Sequence, residues 1–200
     1  IMAPGFADFF SPFIPAIGEL AGYKIVNMPK TSKISVAEGL KYGNNEVCYP
    51  STLILGDIIS TLKSGKYDLD DIVVAITQTG GQCRATNYIA QIKSGLQNAG
   101  FAHVPVLAVG PQAIQNEQKA FKVPMKKILN IGIYAILYAD ALQQMYSTTV
   151  VRESKKGEAK EMFDFYVERG IEAIRANDHK RLIKVLEQAI ADFNQISIAD

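Results

Sequence analysis

The first half of the chain combines two hydrophobic periods. Four short runs of apolar and β-branched residues predict strands, at Ile1–Pro4, Tyr23–Met28, Ile72–Ile76 and Val104–Val109. Between these runs, apolar residues recur at helical spacing, which predicts helices near Asp8–Ala21, Ser35–Tyr42, Pro50–Gly65 and Arg84–Asn98. Strands that alternate with helices through short connections favour an α/β fold with a parallel sheet and right-handed crossovers.

The second half of the chain has only helical periodicity. It predicts three helices, at Pro124–Tyr146, Lys155–Ala176 and Asp178–Phe193. A polar stretch that begins at Gly110-Pro111 separates the two halves. We therefore predict a Rossmann- or flavodoxin-like lobe over residues 1–110 with helices on both sheet faces, a linker over 111–122 and an all-helical segment over 123–200.

Composition and charge exclude several classes of protein. The chain has 200 residues, of which 48% are hydrophobic and 20% charged, as in ordinary globular domains. Its net charge of +1 gives no reason to expect nucleic acid or an anionic membrane as a partner. Two cysteines do not form a secreted disulfide framework, and no signal peptide is recognisable, so we expect a cytoplasmic protein. Because the chain starts at Ile1, we expect it to be part of a longer polypeptide.

The two cysteines carry the main chemical signal. Cys48 and Cys83 each stand just before a predicted helix, in loops marked by Gly, Asn or Pro. A helix N-terminus favours an anion, so a thiolate is stabilised there. Both loops are expected at the carboxyl edge of the sheet, where open α/β sheets bind ligands. The pair is suited to a soft metal, an iron–sulfur cluster or redox work, although two small buried hydrophobes remain an equal alternative.

Several neighbours of Cys83 are secondary candidates. The segment Gly80-Gly81-Gln82 follows a predicted strand and could approach a phosphate, but it matches no nucleotide-binding motif and is more typical of a tight turn. Arg84 could stabilise a thiolate or an anionic cluster, or it could be a solvated arginine. His103 and His179 are the only histidines, and both are expected to be ordinary surface residues.

Two longer motifs enclose the cysteines and resemble a known family. Residues Gly39–Pro50 and Thr77–Tyr88 are similar to the cluster-binding module of the 2-hydroxyacyl-CoA dehydratase and benzoyl-CoA reductase type. Within this type, the motifs are most similar to the module found in long multidomain proteins known as acyl-CoA dehydratase activases or activase-related proteins. It covers most of the chain, and the two cysteine motifs are its specific part.

The resemblance implies a cofactor and a reaction. In such proteins, Rossmann-like lobes surround a 4Fe-4S cluster held by three cysteines, and Cys48 and Cys83 match the first two. The cluster passes one electron to an acyl-CoA thioester, and an ATP-hydrolysing activase supplies that electron. If Cys48 and Cys83 hold such a cluster, we expect the loop Gly80-Gly81-Gln82 to bond cluster sulfurs and Arg84 to offset negative charge. Asn45 is a further candidate contact, although its residue type is first that of a turn former.

Three hypotheses therefore stay open, and the first is that this chain is one lobe of a redox or dehydratase-type protein. A third cysteine and a phosphate-binding loop are absent from the sequence, so this chain alone is expected to be neither a competent dehydratase nor an ATPase. The parent would be a lyase or its redox component. The alternative is a non-enzymatic, flavodoxin-like ligand-binding or interaction domain with incidental thiols. A thiol–disulfide switch is the third possibility, and it requires Cα atoms within about 7 Å.

Overall fold

A computed structural model describes residues 1–5, 7–44, 46–77, 88–109 and 124–199. Its strands form one parallel sheet in the order β2-β1-β3-β4. The strands are β1 at Met2–Ala3, β2 at Val26–Asn27, β3 at Val74–Thr77 and β4 at Val106–Val109. The predicted α/β class and the parallel sheet are confirmed.

The middle of the sheet is built from the apolar run that predicted its third strand. Val74, Ala75 and Ile76 of β3 are buried, as expected of a strand covered on both faces. β3 pairs along its whole length with β4, from Val74 opposite Val106 to Thr77 opposite Val109. β2 is shorter than the predicted Tyr23–Met28, because its partner β1 offers only two residues to the ladder.

Among the described residues, three helices accompany the sheet: α2 at Lys33–Tyr42, α3 at Tyr49–Lys63 and α4 at Tyr88–Asn98. α2 begins at a capping box, in which the Ser32 hydroxyl accepts from the Ser35 N–H and the Ser35 hydroxyl accepts from the Ser32 N–H. Residues 84–87, where the sequence predicts the start of α4, lie outside the described residues.

Helices α2 and α3 pack with their backbones in close approach. A Cβ atom at Gly56 would lie 1.8 Å from the Ser35 carbonyl oxygen, and one at Gly39 would lie 2.1 Å from the Thr52 carbonyl oxygen. Only glycine fits such positions, since real Cβ atoms do not approach another atom so closely. This contact fixes where α3 lies and therefore where its first residues emerge.

The other helices that the structure describes form a core of their own. They are α1 at Ile14–Ala21, α5 at Met125–Thr149, α6 at Glu158–Arg175 and α7 at His179–Phe193. A 3₁₀ turn at Ser11–Phe13 precedes α1, so the α-helix begins later than the predicted start near Asp8. Pro12 and Pro15 account for this, because proline lacks the N–H that a regular helix uses. The helices meet over a cluster of buried apolar side chains that includes Phe13, Tyr138 and Ile174.

The chain divides into two compact units. The α/β unit comprises Ile1–Gly5 and Ile25–Lys122, and the helical unit comprises Phe6–Lys24 and Val123–Asp200. This differs from the division predicted from the sequence, which placed all of residues 1–110 in the α/β lobe. The first helix belongs with the helical unit because Phe13 and Ala16 are buried in that unit's apolar core. The predicted linker 111–122 lies outside the described residues.

A helix that crosses a bilayer needs about 20 consecutive, mostly apolar residues. Among the described residues, no helix is both long enough and apolar enough to cross a membrane.

Candidate functional site

Cys48 occupies the position that caps the start of α3. Its backbone is extended, with φ −63° and ψ 139°, and its carbonyl oxygen accepts from the Ser51 N–H at 3.0 Å. Its side chain makes no capping hydrogen bond to the helix, and the first turn of α3 contains no acidic residue. The half-buried sulfur therefore stands at the positive end of a helix with no nearby first-turn carboxylate to oppose a negative charge there.

The loop before Cys48 is held by its own asparagine. The Asn44 side-chain oxygen accepts from the Glu46 N–H at 2.9 Å, and the Asn44 carbonyl oxygen accepts from the Val47 N–H at 3.3 Å. Asn44 therefore acts as a turn former, as its residue type predicts. Tyr49 and Pro50, on the other side of Cys48, are exposed, so solvent reaches the start of α3.

The Cys48 sulfur contacts Tyr88, the first described residue of α4. Its Sγ lies 2.8 Å from the Tyr88 hydroxyl oxygen, and either atom could donate the hydrogen bond. The Tyr88 ring is only 9% exposed and belongs to the apolar core of the α/β unit, against which Cys48 also packs. The sulfur is thus fixed between the start of one helix and a phenol held by the core.

Further contacts show that α3 and α4 run side by side in the same direction. The Ser51 hydroxyl donates to the Gln91 side-chain oxygen one turn beyond the Cys48 contact. One turn further on, Leu55 lies against Gly95, where an added Cβ would come within 2.6 Å of the leucine side chain. Because both helices advance together from Cys48 and Tyr88, their N-termini lie at the same end.

That shared end is the carboxyl edge of the sheet. α4 connects two neighbouring parallel strands, β3 and β4, and packs against β4. A connection between parallel strands must carry the chain from the carboxyl edge back to the amino edge. Tyr88, at the start of α4, therefore lies towards the carboxyl edge, and Cys48 lies beside it.

The other predicted site residues fall outside the described residues. These are Asn45, Gly80, Gly81, Gln82, Cys83 and Arg84. In the described part of the chain, no group of three or more His, Cys, Asp or Glu side chains is arranged to hold a metal ion. Cys48 is accordingly the one predicted ligand whose surroundings the structure gives.

The two histidines lie away from Cys48 or in the other unit. His103 is exposed and stands between the end of α4 and β4, at the amino edge of the sheet. His179 begins α7 in the helical unit and stacks on Tyr134 with ring centroids 5.1 Å apart. His103 therefore lies at the opposite edge of the sheet from Cys48, and His179 belongs to the helical unit rather than to the α/β unit.

Tyr88 is the residue that sequence reasoning missed. It stands at the end of the second cysteine motif, and with Ile92 and Leu96 it forms an apolar stripe at helical spacing. Such a stripe is typical of a core-facing surface, and all three side chains are buried in the structure. The hydroxyl of a buried tyrosine usually finds a polar partner, and this was the available signal.

Comparisons of this chain with protein-family models, with curated proteins and with solved structures found no match.

Proposed function

We propose that this chain is one lobe of a 2-hydroxyacyl-CoA dehydratase-type or activase-related protein, in which Cys48 and Cys83 are two ligands of a 4Fe-4S cluster. The observation that carries the proposal is the position of Cys48, whose sulfur stands at the N-terminus of α3 beside the first residue of α4. The proposed substrate is an acyl-CoA, the proposed electron source is an ATP-dependent activase, and the proposed location is the cytoplasm.

The sheet order supports a flavodoxin-like arrangement for the proposed lobe. The order β2-β1-β3-β4 is the beginning of the flavodoxin-like order. In that order, β2 is added on one side of β1 and β3 on the other, so the strand order reverses between β1 and β3. Ligands of such sheets bind outside the carboxyl ends of the strands at that reversal. Cys48 lies at the carboxyl edge, so it is on the correct side of the sheet for such a ligand. The placement of helices on both faces, which depends on α1, stays a prediction.

The chain path supports a role for Cys83 at the same edge. Residues 78–87 join Thr77, the last described residue of β3, to Tyr88, the first described residue of α4. Both ends of this segment lie at the carboxyl edge, and Cys83 is five residues from Tyr88 in the sequence. Five residues span at most about 18 Å even when fully extended. We therefore propose that the Cys83 sulfur meets the Cys48 sulfur at this edge.

The donor set fits part of an iron–sulfur site. Thiolates are the usual protein ligands of such clusters, and a helix N-terminus stabilises the negative charge that a ligand sulfur carries. The sequence has two cysteines, so at least one further ligand must come from elsewhere. When bound, the cluster would supply one-electron reduction of the acyl-CoA thioester.

The chain's own residues would hold and shield that cluster. In the proposal, Cys48 and Cys83 bind iron, the backbone of Gly80, Gly81 and Gln82 donates to cluster sulfurs, and Arg84 offsets negative charge. Asn45, three residues before Cys48, is the remaining proposed contact of the cluster.

The test is anaerobic reconstitution of the 200-residue chain with ferrous iron and sulfide. An excess of a small thiol occupies the coordination positions that the chain does not supply. The wild type is expected to take up iron and sulfide in equal amounts and to develop a broad visible charge-transfer absorbance. Cys48→Ser and Cys83→Ser should each lose most of the iron.

Two results would overturn the assignment. One is a wild-type chain that binds no iron above the level of the double variant Cys48→Ser/Cys83→Ser. The other is iron uptake that neither single substitution changes.

A flavodoxin-like binding or interaction domain with incidental thiols is the second candidate. The observation that favours it is that Cys48 packs partly against the apolar core of its unit, as an ordinary small hydrophobic side chain would. This candidate expects Cys48→Ala to leave every metal-binding property unchanged.

A further inference from the structure

We propose that Tyr88 is a positioning residue for Cys48, which donates its hydroxyl proton to the ligand sulfur and fixes the direction in which that sulfur points. The inference rests on the proposed function, because it concerns Cys48 as a metal ligand. Its basis is the 2.8 Å contact between the Cys48 Sγ and the Tyr88 Oη.

The direction of the hydrogen bond follows from the state of the sulfur. A metal-bound or ionised thiol has no proton, so the sulfur can only accept, and the phenol must donate. Bonds to an ionised acceptor are stronger than neutral ones, so this contact gains strength when Cys48 becomes a ligand. A thiol that keeps its proton gains no such strengthening.

The phenol is held rigidly before any ligand arrives. The Tyr88 ring is buried in the apolar core of the α/β unit, and Ile92 and Leu96 of the same helix share that core. The hydroxyl is therefore a fixed donor, as outer-shell partners of metal ligands commonly are.

The experiment measures binding of Cd²⁺, added alone, to the reduced chain. Cd²⁺ is a soft ion that prefers thiolates, and sulfur-to-cadmium charge transfer gives an ultraviolet band that reports on the sulfur directly. Tyr88→Phe keeps the ring and removes only the donor. We expect it to weaken Cd²⁺ binding by about 10-fold or more and to move the band to lower energy, because the sulfur lone pair is no longer stabilised.

Two variants separate positioning from general structure. Gln91→Ala removes the neighbouring contact between α3 and α4, and we expect binding within about twofold of wild type and an unmoved band. In a Cys48→Ser background, Tyr88→Phe should change Cd²⁺ binding no further, because its effect acts through the sulfur. A purely structural effect of Tyr88 would persist in that background.

The outcomes distinguish this inference from the proposed function. If the wild-type chain does not bind Cd²⁺ through both sulfurs, with Cys48→Ser and Cys83→Ser each weakening it, the proposed function fails. If both cysteines bind but Tyr88→Phe matches wild type in affinity and band position, only the role of Tyr88 is wrong. Thermal unfolding first establishes that the Tyr88→Phe chain is folded, since both conclusions compare folded chains.

Discussion

The two units of this chain bury different kinds of side chain. In the described residues, buried polar side chains concentrate in α2 and α3 of the α/β unit. They are Ser35, Ser51, Thr52, Asp57 and Thr61. The helical unit buries one large apolar cluster, which includes Tyr138 and Tyr166, and a single polar side chain among its described residues, Thr149. Both units have an apolar core, but the first also has close backbone contacts and hydroxyl hydrogen bonds between α2 and α3.

This difference matters for the candidate site. Precise contacts between α2, α3 and α4 determine where Cys48 and Tyr88 meet, whereas apolar packing tolerates substitution of similar volume. A single added carbon atom should therefore lower the free energy of unfolding more in the α/β unit than in the helical unit.

The largest expected effect is at the contact between α2 and α3. Gly56→Ala would place a Cβ 1.8 Å from the Ser35 carbonyl oxygen, which is backbone and cannot rotate away. We expect the free energy of unfolding of the α/β unit to fall by about 3 kcal/mol, measured by urea denaturation.

The matched control lies in the helical unit. A Cβ at Gly132 of α5 would meet no atom within 4 Å. Gly132→Ala should therefore leave that unit unchanged or stabilise it by up to about 1 kcal/mol, from helix propensity alone. Equal losses for the two substitutions would refute the contrast between the units.

A smaller effect is expected from the polar atoms within the helical core. The buried Tyr138 hydroxyl donates to the Tyr166 carbonyl oxygen at 2.6 Å, and burial holds the pKa of Tyr138 well above its usual range. Tyr138→Phe removes this bond and should lower the free energy of unfolding by about 1 to 2 kcal/mol. Tyr134→Phe, at a partly exposed position on the same helix, should change it by less than about 0.5 kcal/mol. No difference between the two would show that this core gains nothing from the bond.

The smallest expected effect is a pH dependence at the start of α6. The Glu153 carboxylate accepts from the Gly157 and Ala159 N–H groups at 2.7 Å each, and these bonds lower its pKa below the ordinary value of 4.5. Because the folded pKa is the lower one, this stabilisation is present above pH 4.5 and is lost as the pH falls through the folded value.

Glu153→Gln should therefore lower the thermal unfolding midpoint of the helical unit at neutral pH and reduce its further loss in acid. Glu187→Gln, at an exposed position on α7, is the control. The account of this cap would be wrong if both variants kept the wild-type acid dependence.

Much of the fold could be predicted from periodicity and breakers. The β-branched run at Ile72–Ile76 predicted β3, and Gly22, with φ 85°, ends α1 as its residue type predicts. Local patterns could not show that α1 packs with the distant helices α5 and α6, because that is a long-range choice between two apolar surfaces. Nor could they show how α2 and α3 cross at Gly39 and Gly56.

The candidate site was predicted in part. The helix-start position of Cys48 could be predicted because Pro50 and the preceding asparagines are strong local signals. The contact with Tyr88 depends on the register between α3 and α4, which neither helix encodes alone. The positions of Cys83 and its neighbours stay predictions.

The central claim is that the Cys48 and Cys83 sulfurs meet at one edge of the sheet. A short bifunctional bimane reagent, which fluoresces only after both of its arms have reacted with thiols, measures this directly on the native, reduced chain. The account predicts strong fluorescence from the wild type with no change in chain mass beyond one bridging group, and background fluorescence from Cys48→Ser and Cys83→Ser. Wild-type fluorescence no higher than that of the single-cysteine variants, with both thiols shown to be reactive, would contradict it.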